Sequence, residues 1–455
     1  MRSDFVNDSN PPNSRWYSGI TSYQWLVLVI ASLGWVFDVF EGQMYPASVN
    51  EVVNDLVEGA TAATQDRYRN VGLGAFLAGG AVGGILFGAL GDRIGRARTM
   101  SLTILVYSLF TCLTALAQEM WQVVALRFLV ALGVGGEWAV ASAMVSEVFP
   151  PRARAWSGAI FHGSSVLGTF LAVAAGQFLV GNEAVGWRIA FLVGALPAVL
   201  TLWIRLQLKE PERWVADHAV DAAPQPAGRI LELFAPGLAR RTVVGFSLAA
   251  VGLATFWGVH LCGKDFALRR ARSAAEQREG LSESASEADR QAAWKKHPEI
   301  KGQEMWGMFL TTIGGGLGLL AFGPFSEWLG RRGAFAVYHL GGLVMAVLLF
   351  KTYRHWDDAA LTALLPMFGF WTLGMHAGYA IYFPELYPTR IRSLGSGFCF
   401  NCARFCAAAI LIVMAFARDA NVSFETIGAS ASLLFLLGLV IVPFGPETKG
   451  SALAS

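Results

Sequence analysis

The chain has 455 residues, of which 54% are hydrophobic and only 15% charged, with 50 glycines and a mean hydropathy of +0.47. A soluble chain of this size carries about 25% charged residues, so a soluble globular protein is excluded. The net charge of +2 gives no reason to expect a nucleic-acid partner.

Apolar stretches recur along most of the length, and several reach the roughly 20 residues that cross a hydrocarbon core. The polar opening MRSDFVNDSNPPNSRWYSG precedes a run too long for a signal-peptide core, so the first run reads as a spanning helix without a cleaved signal. About twelve spans follow from the hydropathy, near 22–46, 70–90, 99–117, 121–146, 155–180 and 187–207, then 242–262, 304–329, 334–351, 359–383, 393–417 and 425–444. The fold class is an all-α membrane protein.

Loops after the even-numbered spans are basic, carrying Arg93, Arg96 and Arg98, then Arg152 and Arg154, then Arg331 and Arg332, then Arg390 and Arg392. The loop after the first span is acidic, with Glu51, Asp55, Glu58 and Asp66. Positive charge collects on the cytoplasmic side, so both termini are expected in the cytoplasm and the protein in the inner membrane.

Three landmarks repeat. GALGDRIGR starts at Gly88 and GPFSEWLGR at Gly323, 235 residues apart; SEVFPPRAR starts at Ser146 and PELYPTRIR at Pro384, 238 apart; EPER at Glu210 answers GPET at Gly445, again 235 apart. Two six-helix halves of like orientation follow, 1–207 and 241–455, joined by a linker at 208–240. Residues 263–303 break the symmetry: they are polar, rich in Ala, Glu and Arg, and expected outside, as a plain loop with a short helix or as a lid over the outer vestibule.

Charges inside apolar runs are costly and mark function by default. The first span holds Asp38 and Glu41, three residues apart and therefore on one face. Either can carry a proton from one side to the other, or pair with an intramembrane arginine. Arg127 and Glu137 lie ten residues apart on the fourth span, roughly on one side. Glu137 is a second protonation candidate or a buried structural acid. Arg404, deep in the eleventh span, requires an anion: a substrate carboxylate held bidentately, or Asp38 or Glu41 across the halves. His376, Tyr379 and Tyr382 share one face of the tenth span and can line a cavity. Asn401, His162, Gln177 and Trp257 are weaker substrate-contact candidates. No pair of histidines has metal-ligand spacing, so neither a metal nor another cofactor is expected. The five cysteines, Cys399 and Cys402 included, read as small apolar packing residues.

GDRIGRAR resembles the loop between helices two and three of the major facilitator superfamily, through Gly88, Asp92, Arg93, Gly95 and Arg96, with Arg98 displaced by one position. The second copy departs from it at Glu327 and Trp328. RFLVALGVGGEW resembles the fourth-helix signature of that superfamily, and PERW and PETKG resemble the closing motifs of its sugar-porter and related symporter branches. Asp38-Val39-Phe40-Glu41 is similar to the D-G-x-D of aromatic acid:proton symporters, without the Gly and with Glu as the second acid; Arg404 resembles an eleventh-helix arginine of that group. The resemblance implies two six-helix bundles working by alternating access, proton transfer by Arg127 beside a first-helix acid, and a cytoplasmic gate. Gate residues are expected to be Asp92, Arg96, Glu147 and Arg152 in the first half, and Glu327, Arg331, Glu385 and Arg390 in the second. The expected function is proton-coupled transport of a small organic anion by a monomer in the bilayer. A sugar porter or facilitator for a neutral solute is the alternative, and a non-transporting sensor a more distant one. No nucleophile–base pair suggests an enzyme.

Overall fold

The computed structural model describes residues 15–60, 62–180, 186–194, 196, 203, 207–220, 229–282, 285–297 and 299–454. Among them, ten helical stretches are long and apolar enough to cross a membrane. The first five are Ser22–Leu56, Arg67–Ile94, Arg96–Thr114, Met120–Val148 and Pro151–Val180. Then come Ala239–Arg278, Glu299–His355, Asp358–Leu386, Thr389–Arg418 and Phe424–Phe444. Glu299–His355 carries two of the expected spans, divided at Gly330, whose backbone leaves the helical region at φ 78° and ψ 168°. The expected sixth span, 187–207, lies largely outside the described residues, which contain the helix Gly186–Val193 at its start.

Helix ends follow local chemistry. Thr21 accepts from the Gln24 amide at 3.2 Å while Gln24 Oε1 accepts from the Thr21 amide at 2.8 Å, a capping box that starts the first span. Asp357 and Ser423 cap two later spans by accepting from Ala360 and Thr426 amides. The first helix runs to Leu56, past the expected 46, so Glu51 and Asp55 lie on a helix rather than in a loop.

Glycines set the approach of the halves. On the second span Gly80, Gly84 and Gly88 form one face against the eleventh. A Cβ on Gly80 would lie 2.3 Å from Arg404 Nη1, on Gly84 2.3 Å from Asn401 Nδ2, and on Gly88 2.9 Å from the Leu394 Cα. Gly79 and Gly83 turn instead to the fourth span, where a Cβ would meet the Phe128 and Leu132 carbonyls at 2.2 and 2.0 Å. Small residues at this spacing allow close backbone approach. The fifth span packs on the first part of Glu299–His355 in the same way, through Gly163, Gly316 and Gly323.

Four spans carry a local turn with helical torsions near their middle. The fifth has it at Ser164, the tenth at Gly374 and Met375, the eleventh at Ala403 and the twelfth at Leu433. The first three adjoin polar residues singled out from the sequence: His162, His376 and Arg404.

Residues 263–303 form more than a loop with a short helix. Gly263–Arg278 continues from the seventh span, and Glu287–Lys295 folds back on it. Trp294 Nε1 donates to Glu276 at 3.0 Å, and Arg290 pairs with the same carboxylate at 2.8 Å.

Candidate functional site

Between the halves lies a buried polar cluster. Asp38, Glu41 and Glu137 are each at most 1% exposed. Glu41 Oε1 accepts from Arg127 Nη1 at 3.1 Å, and Arg127 also donates to the Glu41 and Gly42 carbonyls at 3.2 and 2.8 Å. The Arg127 guanidinium lies 4.3 Å from the Phe76 ring centroid and 5.4 Å from that of Tyr45, which dries and fixes the pair. Glu137 Oε2 accepts from Thr103 Oγ1 at 2.7 Å, while its Oε1 accepts no hydrogen bond. Gly34 makes room for it: a Cβ there would sit 2.5 Å from Glu137 Oε1.

Asp38 differs from the other two acids. Both its carboxylate oxygens are buried and neither accepts a hydrogen bond among the described residues. The charges acting on it are those of Glu137, Arg404 and Glu41. Arg404 comes from the opposite half, and its Nη1 is buried with no acceptor. Asp38 is the charge acting on Arg404 in turn. The Tyr107 hydroxyl, within electrostatic range of all three acids, also lacks a partner. Asn401, one turn before Arg404, donates to the Gly135 carbonyl of the first half at 3.0 Å and to Gly397 at 3.2 Å, and its Oδ1 is left open. Unmade hydrogen bonds in a buried region are costly, about 1–3 kcal/mol each. Several such groups converging on one interface mark a place shaped for something other than the resting protein.

An aromatic group adjoins this cluster. Phe400 stacks on Trp138 at 4.0 Å between centroids, and Arg404 sits 5.9 Å from the Phe400 ring. His162 Nδ1 accepts from Trp138 Nε1 at 3.1 Å, and its carbonyl accepts from Trp35 Nε1 at 3.2 Å. The rings of His162 and His376, one from each half, are 6.4 Å apart. His376 Nε2 donates to the Gly252 carbonyl at 3.1 Å.

The remaining substrate candidates separate. Tyr379 donates to the Leu248 carbonyl at 3.0 Å while its ring stays 6.1 Å from Phe400. Tyr382 stands apart from the cluster: it donates to the Pro446 carbonyl, beyond the last span, at 2.7 Å. Trp257 packs edge-on against Phe256. The Gln177 side chain lies outside the described residues.

At the end of the molecule bearing the repeated loops, two carboxylates organise the contacts. Glu147 takes Arg96 bidentately at 2.8 and 3.1 Å and Arg392, from the other half, at 2.6 Å. Glu385 takes Arg331 bidentately at 2.9 and 3.1 Å and Arg154, from the other half, at 3.5 Å. Each acid binds the loop arginine of its own half and one arginine of its partner half. Arg96 also pairs with Asp92 at 2.9 Å, and Arg331 with Glu327 at 2.8 Å. Asp92 further accepts from the Ser393 and Leu394 amides at 3.0 and 2.9 Å, at the N-terminus of the helix Arg392–Cys402. Glu327 is less buried than Asp92.

Two expectations need correcting here. Arg152 donates to the Ser18 carbonyl and Arg390 pairs with Glu232 of the linker, contacts that lie outside the network of Glu147 and Glu385. Arg154 and Arg392, the second arginines of PPRAR and PTRIR, enter it instead. The helix starting at Pro151 and the turn at Thr389–Ile391 rotate the first arginine of each pair outward. The pairing of Glu210 with Gly445 by a 235-residue offset is also displaced. Glu210 accepts from the amides of Arg96, Ala97 and Arg98 at 2.6, 3.2 and 3.3 Å, and Glu447 from those of Arg331 and Arg332 at 2.9 and 3.1 Å. Both acids cap helices that begin after a positive-φ glycine, Gly95 and Gly330. The sequence signals for them were the acids of KEPER and GPET. Tyr107 carried no signal beyond being a polar side chain in an apolar run.

A family model described as "Sugar (and other) transporter" matches residues 20–224 and 317–455. The chain belongs to that family. It is 25% identical to the probable 4-methylmuconolactone transporter of Cupriavidus pinatubonensis over 96% of this chain and 94% of that one. It is 31% identical to the gentisate transporter of Corynebacterium glutamicum over 44% of this chain and 45% of that one. Its fold is that of the proton:xylose symporter XylE of the major facilitator superfamily, with a TM-score of 0.73 at 15% identity, covering 95% of this chain and 98% of that one. The family member described here is a multi-pass membrane transporter of small solutes, and not an enzyme.

Proposed function

We propose that this transporter moves an organic anion, an aromatic or similarly unsaturated carboxylate, together with protons. The observation that carries the reading is the buried Arg404 Nη1 without an acceptor, from the opposite half to Asp38, which lacks a donor and feels its charge. A solute carboxylate fits that guanidinium, and the Trp138–Phe400–His162 group beside it suits a flat unsaturated body. Names of two relatives, for gentisate and 4-methylmuconolactone transport, support this class.

Charge bookkeeping supports proton coupling. The buried cluster holds three acids, Asp38, Glu41 and Glu137, and two arginines, Arg127 and Arg404. With Glu41 held by Arg127 and Arg404 drawn away by a solute carboxylate, Asp38 is left without compensating charge. A bound proton supplies it. Asp38 is then the coupling acid, Glu41–Arg127 a fixed pair beside it, and Glu137 a second protonation site. Asn401, His162, His376 and Tyr379 are wall residues of the same cavity.

The two halves, 1–207 and 241–455 with the linker 208–240 between them, rock about this site in a single chain embedded in the inner membrane. The positive-inside charge pattern supports cytoplasmic termini and a cytoplasmic location for the gate. The neutral-solute reading draws on the family description and leaves the open guanidinium without a purpose.

The test is uptake of radiolabelled gentisate, benzoate and xylose into proteoliposomes, with and without an inside-alkaline gradient. Gradient-driven carboxylate uptake is expected, reduced about 10- to 100-fold in Arg404→Ala by loss of a charged hydrogen bond. Asp38→Asn is expected to retain exchange of gentisate and lose the response to the gradient. Xylose uptake indifferent to pH and to Arg404 would overturn the reading.

A further inference from the structure

The helical hairpin 263–297 encloses a cleft of about 810 Å³ against the neighbouring span ends. Its walls come from both hairpin helices and from Trp306, Tyr353, Asp358 and Leu361. Six arginines line it, at 269, 270, 272, 278, 290 and 354, against three acids, Glu276, Glu299 and Asp358. The lining therefore carries a formal excess of three positive charges.

The charges are fixed by their neighbours. Arg270 pairs with Asp358 at 2.6 Å, Arg278 with Glu299 at 3.0 Å, Arg290 with Glu276 at 2.8 Å and Arg354 with Glu425, outside the lining, at 2.7 Å, while Arg269 stacks on Phe424 at 4.0 Å. Arg272 is different: its guanidinium lies 4.3 Å from the Trp294 centroid, its Nε donates no hydrogen bond, and no acid lies within ion-pair distance of it among the described residues. A stacked guanidinium with donors to spare, on an aromatic floor and in a net positive cleft, is suited to a planar carboxylate. The hairpin continues from the end of the seventh span opposite the gate loops, the side from which solute would arrive.

We infer that the hairpin cleft is a second, external binding site for the organic-anion solute, centred on Arg272 and Trp294, which concentrates it above the central cavity. The inference rests on the organic-anion reading and deepens it. A positive cleft raises the local concentration of an anion and its encounter rate, and salt weakens the effect.

The test is equilibrium binding of radiolabelled gentisate to the full-length protein in phosphatidylcholine nanodiscs. Two equivalents per chain are expected. Arg404→Ala should remove the central one and leave the other. Arg272→Gln with Trp294→Leu should remove the outer one and leave the central one, which also certifies that the variant is folded. Arg272→Gln alone should weaken outer binding about tenfold or more, as loss of a charged hydrogen bond does; Arg272→Lys should fall between. In uptake, the outer double variant should raise KM, most at low salt, with kcat retained.

No binding left in Arg404→Ala, or residual binding indifferent to Arg272, would overturn the inference. So would its displacement by phosphatidylglycerol, because the cleft would then hold a lipid phosphate. If Arg404→Ala keeps both equivalents, the central reading fails instead, and the outer site is judged by Arg272→Gln alone.

Discussion

Gly80 shows how one missing side chain can serve chemistry as well as packing. A Cβ there would meet only the tip of Arg404, at 2.3 Å from Nη1, and a flexible side chain can give way. At Gly135 the same atom would meet the Gly80 carbonyl at 2.1 Å, and backbone cannot give way. Gly80→Ala is therefore expected to express and fold, with gentisate affinity about tenfold weaker because the guanidinium is displaced from its charged hydrogen bond. Gly135→Ala is expected to lower the melting temperature, at a cost of about 1–3 kcal/mol for an overpacked interface. Thermal melts beside uptake assays separate the two. Equal melting losses in both variants would show that Gly80 only packs.

At the scale of elements, the proposed gate is two copies of one device. Glu147 and Arg154 lie 238 residues before Glu385 and Arg392, and each acid clasps the other copy's arginine. The clasp by Glu147 is closer, 2.6 Å against 3.5 Å, so the two copies differ in strength. Removing one member of a buried pair costs about 3–5 kcal/mol because the remaining charge is stranded. Glu147→Gln strands Arg392, whose one acid partner among the described residues is Glu147, and leaves Arg96 on Asp92 alone. It should open the gate side, read as faster labelling of a cysteine placed there, and do so more than Glu385→Gln. The opposite order would place the stronger clasp on Glu385. Gly95→Ala tests the turn beneath. At φ 108° a side chain is strained, and its Cβ would lie 2.3 Å from Glu210 Oε1. A loss of about 1–3 kcal/mol in stability is expected for such a backbone.

For the whole molecule, the hairpin after the seventh span is laced by ion pairs, among them Arg278–Glu299, Arg290–Glu276 and Lys296–Glu279. Lys296 donates to Glu279 at 2.5 Å, and this hydrogen bond holds the Glu279 carboxyl below its ordinary value of 4.5. A carboxyl lowered by folding stabilises the fold above its unfolded value and loses that contribution as pH falls through the folded one. Hairpin amides should therefore lose hydrogen-exchange protection below about pH 4.5, while the spans keep theirs. Uniform loss across hairpin and spans would mean that the hairpin is no separate unit.

Much of this architecture was legible in the sequence. Hydropathy located the spans that the described residues contain, because the bilayer imposes a length on each. The repeated GDRIGR and GPFSEWLGR loops gave two like halves, and the acids inside apolar runs marked the central cluster, because unpaired charge there is too costly to be incidental. Side-chain direction was not legible. PPRAR and PTRIR each offer two arginines, and only the turn that starts the following helix turns Arg154 and Arg392 inward and leaves Arg152 and Arg390 outside. Partnership was equally hidden: Asp38 and Glu41 share one helix face, yet only Glu41 meets Arg127, while the Arg404 guanidinium fills the space that Gly80 leaves open. A one-dimensional pattern records which residues cannot face lipid. Which of them meet is decided when two helices close on each other across the interface of the halves.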